Sequence, residues 1–487
     1  MSARAVVLSG ADVTRGTPSG EAGSSVAHTV EGWLIRQWRP VVTTLAMVSV
    51  GMTFMFEWNP VVHHSASWAI GSDLWNTLRA AHFVSWGFPG GIYQANGIIT
   101  FPGTAVLLAP VAMLSGALHL SESFMPYTLA RPTAALVLEP VALLLAATVV
   151  FATDALADRI GVGPRPRSVL CVLVGVIAWL TAAVWGHPEE SLAMTFAFYA
   201  MVAFLGGKWA RCGWLFGAGV VLQPLVALML PLFIAATPRG GRLWLVVRSS
   251  AASVVLVGLA AAGDARDTFR ALVEQPTPPS LNHPTPWVYL SPKLSTGGGN
   301  HLTQYPSVSD IHGHLAVTHT TAMSSYLVFV AGGPGRMIDA LLAVLFGLYI
   351  WRRPQSVLWL LWLAAVVLAS RCFFEPVMTP YYLAPPLLLG LVLAARASRA
   401  RFWAAAALAL EVTVFSYYHL NPWFWWSTVV LGLAGVLGLA VPAAEESEVK
   451  EERRAPLLAA CLEDPTDHSI APLLPRTDLE RVETAPI

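Results

Sequence analysis

Blocks of about 17 to 24 mostly apolar residues recur along this chain, the length at which a helix crosses the hydrocarbon core of a bilayer. They fall near 41–58, 99–118, 132–153, 168–185, 190–206, 213–236, 243–262, 337–351, 355–370, 377–395, 402–419 and 423–441. Inside lipid, backbone polar groups must bond to one another within the segment, which selects helices. Composition closes off the soluble alternative: of 487 residues, 55% are hydrophobic and only 12% charged, and a water-soluble fold would leave much of that apolar surface exposed. Lys+Arg and Asp+Glu balance at 29 each, which excludes a basic nucleic-acid binder and a disordered acidic chain. The sequence therefore predicts an all-α, polytopic membrane protein of about 10–12 transmembrane helices with the lipid bilayer as its partner.

Charge placement orients the chain. Arg36 and Arg39 precede the first block, which predicts a cytoplasmic N-terminus and an outer loop over 59–98. The expected layout is an unstructured cytoplasmic segment 1–35, a transmembrane domain 36–442, and an unstructured cytoplasmic tail 443–487. Basic connectors at Arg159/Arg165/Arg167, Lys208/Arg211, Arg239/Arg242, Arg352/Arg353 and Arg396/Arg399/Arg401 each favour the cytoplasm. Two of these flank block 213–236, so that block is expected to break at Gln223-Pro224, where proline lacks the amide a continuous helix uses. Pro102 and Pro110 likewise argue against a clean crossing by block 99–118. The rival is plain alternation with two basic loops outside. Both readings place the long hydrophilic segment 263–335 outside, and loops of that length are usually functional. The four cysteines, Cys171, Cys212, Cys372 and Cys461, form no CxxC pattern, and three read as small apolar helix residues.

Four constellations carry possible chemistry. Asp73, within Ile70-Gly71-Ser72-Asp73-Leu74-Trp75-Asn76, is the only acid in 59–98. A carboxylate at a low-dielectric boundary suits a general base, although Ser72-Asp73 before an apolar run also reads as a helix cap. The short turn Trp185-Gly186-His187-Pro188-Glu189-Glu190 sets two acids and a histidine beside the membrane, where they are costly unless exposed or used; acids favouring a helix N-terminus are the plainer account. His301, His312, His314 and His319 lie in the second outer loop. Their spacing matches no standard zinc site, so they read as hydrogen-bond donors to a polar ligand, with no metal. Charges also fall within apolar blocks at Glu139 and Glu411, and at the end of one at Arg371 and Glu375. Arg371 and Glu375 are four apart and face each other on a helix. They form either a structural ion pair or the wall of a polar cavity near Tyr381-Tyr382.

Read in order, these pieces resemble the GT-C superfamily of membrane glycosyltransferases, in particular the actinobacterial polyprenyl-phosphate-sugar-dependent mannosyltransferases. The matching positions are Asp73 after the first span, Phe101-Pro102-Gly103 for a Tyr-Pro-Pro turn, and Gly186-His187-Pro188-Glu189-Glu190 for a Gly-His-Asn-Asp turn. They continue with Ala218-Gly219 through Gln223-Pro224 for a stretch ending Lys-Pro, then Leu230-Pro231-Leu232. The resemblance covers about residues 40–240. Gln223 stands where the family has lysine, Gly103 replaces the second proline, and Glu189 replaces asparagine. The resemblance implies an inverting transfer of a sugar, mannose or a similar one, from a polyprenyl-phosphate donor to an envelope glycolipid or glycan, on the outer side of the cytoplasmic membrane. No cofactor is required. Asp73 takes the role of base. Arg79, His82, His187, His301 and His312 are candidates for the leaving phosphate, and Glu189, Glu190, Gln223, Arg371 and Glu375 for substrate contacts. The alternative is a non-catalytic transporter or lipid-binding scaffold.

Overall fold

A computed structural model describes residues 22–57, 72–94, 100–121, 133–277, 283–295, 327–330, 333–416 and 421–443. Helix α1 (Ala22–Glu57) contains the first apolar block and begins well before it. This corrects the expectation of an unstructured 1–35, of which residues 22–35 are helical. A helix already nucleated by the span extends outward at little cost through Glu31, Leu34, Arg36 and Gln37. After α2 (Ser72–Ser85) and a 3-10 turn (Pro89–Gln94) comes α3 (Pro102–Ala117), which opens with proline at its first position. Helices α4 (Ala135–Arg159) and α5 (Pro164–Trp179) follow, and α5 runs on into a π turn (Leu180–Val184). Next are α6 (Pro188–Leu205) and α7 (Trp209–Leu222).

The break at Gln223-Pro224 is present. Gln223 is extended at φ −143° and ψ 111°, a 3-10 segment spans Pro224–Met229, and α8 is the short helix Leu230–Ala236. Helices α9 (Arg239–Gly263) and α10 (Ala265–Phe269) then lead into short strands: β1 (Pro276–Thr277), β2 (His283–Pro284), β3 (Lys293–Ser295) and β4 (Leu327–Val330). The chain continues with α11 (Pro334–Arg352), α12 (Val357–Phe374), β5 (Val377–Met378), a 3-10 turn (Pro380–Leu383), α13 (Ala384–Ala397), α14 (Arg399–Phe415) and α15 (Pro422–Leu439). The expected helical class holds for most of the described residues. Two small antiparallel sheets, β1-β4-β3 and β2-β5, lie among the helices. Strand β5 between α12 and α13 pairs with β2, His283 opposite Met378, so it ties segment 263–335 to the helical body.

Among the described residues, six helical stretches are long and apolar enough to cross a bilayer: Ala135–Arg159, Pro164–Val184, Arg239–Gly263, Pro334–Arg352, Val357–Phe374 and Pro380–Ala397. That is a multi-pass membrane protein. Of the expected 10–12 spans these six are long enough, and four further apolar helices among the described residues, α3 and α7 among them, are shorter. The 16 residues of α3 reach only about 24 Å, less than a hydrocarbon core of about 30 Å.

Packing sorts the helices. The apolar window of α13 is 83% buried and that of α9 only 17%, so α13 is central while α9 turns most of its surface outward. The core is built mainly by α4, α6, α12 and α13, with Leu138, Leu143, Phe198, Leu361, Leu368 and Leu388 inaccessible. Cys171, Cys212 and Cys372 are buried, free, small core residues. One close approach has a glycine behind it. A Cβ on Gly103 would collide with the Val221 carbonyl oxygen, so the first turn of α3 rests directly on the end of α7. A second proline there, as in the resembling family, would not fit this contact.

Candidate functional site

The site begins with the amphipathic helix α2. Leu74, Trp75, Leu78 and Ala81 are buried in the main core, which fixes the helix and holds its first turn, with Asp73, in place. Thr77 Oγ1 donates to the Asp73 carbonyl at 2.7 Å. The second component comes from the turn between α5 and α6. Gly186 adopts φ +71°, a left-handed conformation that glycine reaches without Cβ strain. His187 then takes the cap position, and Pro188 opens α6. Glu189 and Glu190 fall in its first turn, where the helix dipole favours negative charge.

These two components meet. His187 Nε2 lies 3.2 Å from Asp73 Oδ2, and His187 Nδ1 lies 2.7 Å from Glu189 Oε1. The imidazole is a bridge between two carboxylates. Its side chain is 6% exposed and that of Glu189 4%, while Asp73 is 36% exposed, so Asp73 is the member of the three most accessible from outside. The Tyr381 ring stacks on His187, centroids 4.1 Å apart at 29°. Burial opposes protonation of His187, but the charge of Glu189 and the hydrogen bonds with Asp73 and Glu189 prevail and hold its pKa well above the ordinary value.

The sign of that shift sets a pH dependence. A raised folded-state pKa means that stability from His187 is fully present below the unfolded value of about 6.5. It is lost as pH rises through the folded-state value. The stability gap between wild type and His187→Gln, measured by thermal unfolding in detergent, is therefore expected to be widest in mild acid and to narrow in alkali. A gap that widens with pH would contradict the bridge.

A second charged group lies behind the first. Arg371 Nε bonds Glu375 Oε2 at 2.7 Å, and Arg336 Nη2 reaches Glu375 Oε1 at 2.9 Å. Burial opposes ionisation of Glu375, but the two guanidinium groups outweigh it and keep its carboxyl below the usual range. The Arg371 guanidinium lies 3.4 Å from the Tyr382 ring centroid, and Tyr382 meets Tyr381 edge to face at 4.8 Å. The aromatic pair thus joins the two charged groups. Arg336 also bonds Gln275, while Thr285 Oγ1 donates to the Glu375 carbonyl and Trp287 Nε1 to the Phe373 carbonyl. These contacts fasten Gln275, Thr285 and Trp287 to the start of α11 and the end of α12.

Of the residues singled out in the sequence, the structure brings together Asp73, His187 and Glu189. Beside them, Gln223 Nε2 donates to Glu190 Oε1, so the glutamine at the family's lysine position is engaged by a carboxylate. Arg371 and Glu375 form the ion pair expected from their spacing. They are 8% and 0% exposed, which makes them the site's frame rather than the wall of an open cavity. Arg79 is exposed; six residues after Asp73, it points roughly 240° around the helix from it. His82 packs its ring against Trp86 at 5.7 Å. His301, His312, His314 and His319 lie outside the described residues. Sequence reasoning missed Arg336 and Gln275, which no local spacing connects to Glu375, and it gave Tyr381 no contact with His187. Among the described residues, no group of three His, Cys, Asp or Glu side chains is arranged to hold a metal ion. No family model matches the chain, and no curated protein matches it either.

Proposed function

We propose that this protein is a membrane glycosyltransferase that passes a sugar from a polyprenyl-phosphate donor to an envelope glycolipid or glycan acceptor on the outer side of the cytoplasmic membrane. The observation that carries the reading is the Asp73–His187–Glu189 chain. A base must be ionised, oriented and reachable. His187 orients the Asp73 carboxylate, Glu189 orients His187, and Asp73, the most exposed of the three, is the member an incoming hydroxyl would reach. Transfer then proceeds by attack of the acceptor oxygen on the anomeric carbon as the carbon–phosphate oxygen bond breaks. The hydroxyl proton passes to Asp73, and the polyprenyl phosphate leaves with the bonding electrons. A cationic His187 beside that path favours the negative charge that develops on the phosphate. A lipid-linked donor reaches such a site from within the bilayer, which suits a fold whose described residues are mostly apolar helices.

A transporter is the second reading, favoured by Arg371, Glu375 and Asp339, which are buried in or beside candidate spans. A photoreactive polyprenyl phosphate separates the two by place. Crosslinked peptides containing Asp73 or the 185–190 turn are expected, displaced by unlabelled polyprenyl phosphate. Labelling confined to other helices would remove the donor from this site.

A further inference from the structure

A second cluster of charge lies away from the Asp73 bridge. The connector between α6 and α7 and the first turns of α9 enclose a cleft of about 490 Å³. Helix α6 has 18 residues and runs from the bridge to this connector, so the cleft is separated from the bridge by about 27 Å of helix. Its walls carry Lys208, Arg211 and Arg248 together with Trp209 and Trp244, and no carboxylate is among its lining residues. Arg248 is the informative member. It sits nine residues into α9, roughly 13 Å along the helix, within a candidate span that is mostly turned outward. A guanidinium at that depth needs a partner or a route back to the interface.

The structure shows the route. The Arg248 guanidinium lies 5.4 Å from the Trp244 ring centroid, one turn back toward the start of α9 and the two connector cations. The backbone there is held by close helix contact. A Cβ on Gly213 would come within 2.9 Å of Arg248 Cβ, and one on Gly217 within 2.6 Å of the Arg248 carbonyl oxygen. The fold thus places three like charges around one apolar-walled cleft at the end of a lipid-facing helix. With no carboxylate among the lining residues, these cations suit an anion, and the tryptophans and apolar walls suit one that carries acyl chains.

We propose that this cleft binds the phosphate headgroup of an anionic phospholipid, with its chains running along α9. Lys208 and Arg211 belong to basic connectors that the positive-inside tendency assigns to the cytoplasmic side, where anionic headgroups attract clustered basic residues. The site is independent of the proposed transfer chemistry.

Native mass spectrometry of the detergent-purified full chain, offered phosphatidylglycerol and phosphatidylcholine together, tests it. The wild type is expected to retain phosphatidylglycerol preferentially. Lys208→Gln/Arg211→Gln/Arg248→Gln is expected to lose that preference by about tenfold or more, and Arg352→Gln/Arg353→Gln, at another basic connector, to keep it. Lys208 and Arg211 are exposed, so the double variant Lys208→Gln/Arg211→Gln serves if changing Arg248 impairs folding, with a loss of several-fold expected. Equal retention of both lipids by the wild type, or undiminished preference in these variants, would overturn the proposal. So would full displacement of phosphatidylglycerol by millimolar inorganic phosphate, which would mark a site for a free anion.

Discussion

Asp73→Asn is expected to reduce sugar transfer by roughly 10²- to 10⁴-fold, the range over which positioned general bases contribute, while the protein still folds. The substitution keeps the size of the side chain and one oxygen for the His187 contact. It removes the carboxylate that accepts the proton. The apolar anchor of α2, made by Leu74, Trp75 and Leu78, is untouched by the change. Glu189→Gln should cost less, because Glu189 touches His187 and not the acceptor. The two variants should also differ in kind. Loss of the base lowers the rate at saturating acceptor, whereas loss of the orienting group leaves Asp73 present but less well held. Equal, complete inactivation of both with intact folding would argue for a structural ion chain in place of a base.

Glu375→Gln carries the second large effect, on stability. The wild-type carboxylate is fully buried between Arg371 and Arg336. Neutralising it leaves two guanidinium groups facing one another, and breaking a buried pair by removing one partner costs about 3–5 kcal/mol. Arg336 is 27% exposed and can turn toward solvent, whereas Arg371 is 10% exposed and cannot. Replacing Arg371 together with Glu375 by Met and Leu should therefore recover much of the loss, since it removes the stranded charge as well. Thermal unfolding in detergent reads both variants. An unchanged midpoint for Glu375→Gln would show that the three-residue network does not hold α11, α12 and segment 263–335 together.

The sequence made the helices legible because bilayer length and apolar composition act on each segment separately. The break before Pro224 was legible for the same kind of reason: a missing amide is a local fact. Arg371 and Glu375 could be paired because four residues is one helical turn. What escaped were contacts between distant parts of the chain. Asp73 and His187 were each identified, but they are 114 positions apart, and nothing in either segment announces the other. Arg336 joins Glu375 across 39 positions. Gly103 reads in sequence as a departure from a proline turn; only the carbonyl of Val221 against it explains why a side chain would not fit. Apolar composition alone did not register how Pro102 and Pro224 limit the lengths of α3 and α7. The unstructured N-terminal segment was overextended because helix propagation beyond a span leaves little trace in hydropathy.

The most direct test is sugar transfer by the purified full chain in liposomes, supplied with radiolabelled polyprenyl-phosphate sugars and a membrane glycolipid extract. The account predicts a labelled, glycosidically linked product that depends on the lipid-linked donor, is not formed from the nucleotide sugar, and falls to near background with Asp73→Asn. Product formed equally well by Asp73→Asn, or none formed by well-folded wild type from any polyprenyl-phosphate sugar, would contradict it.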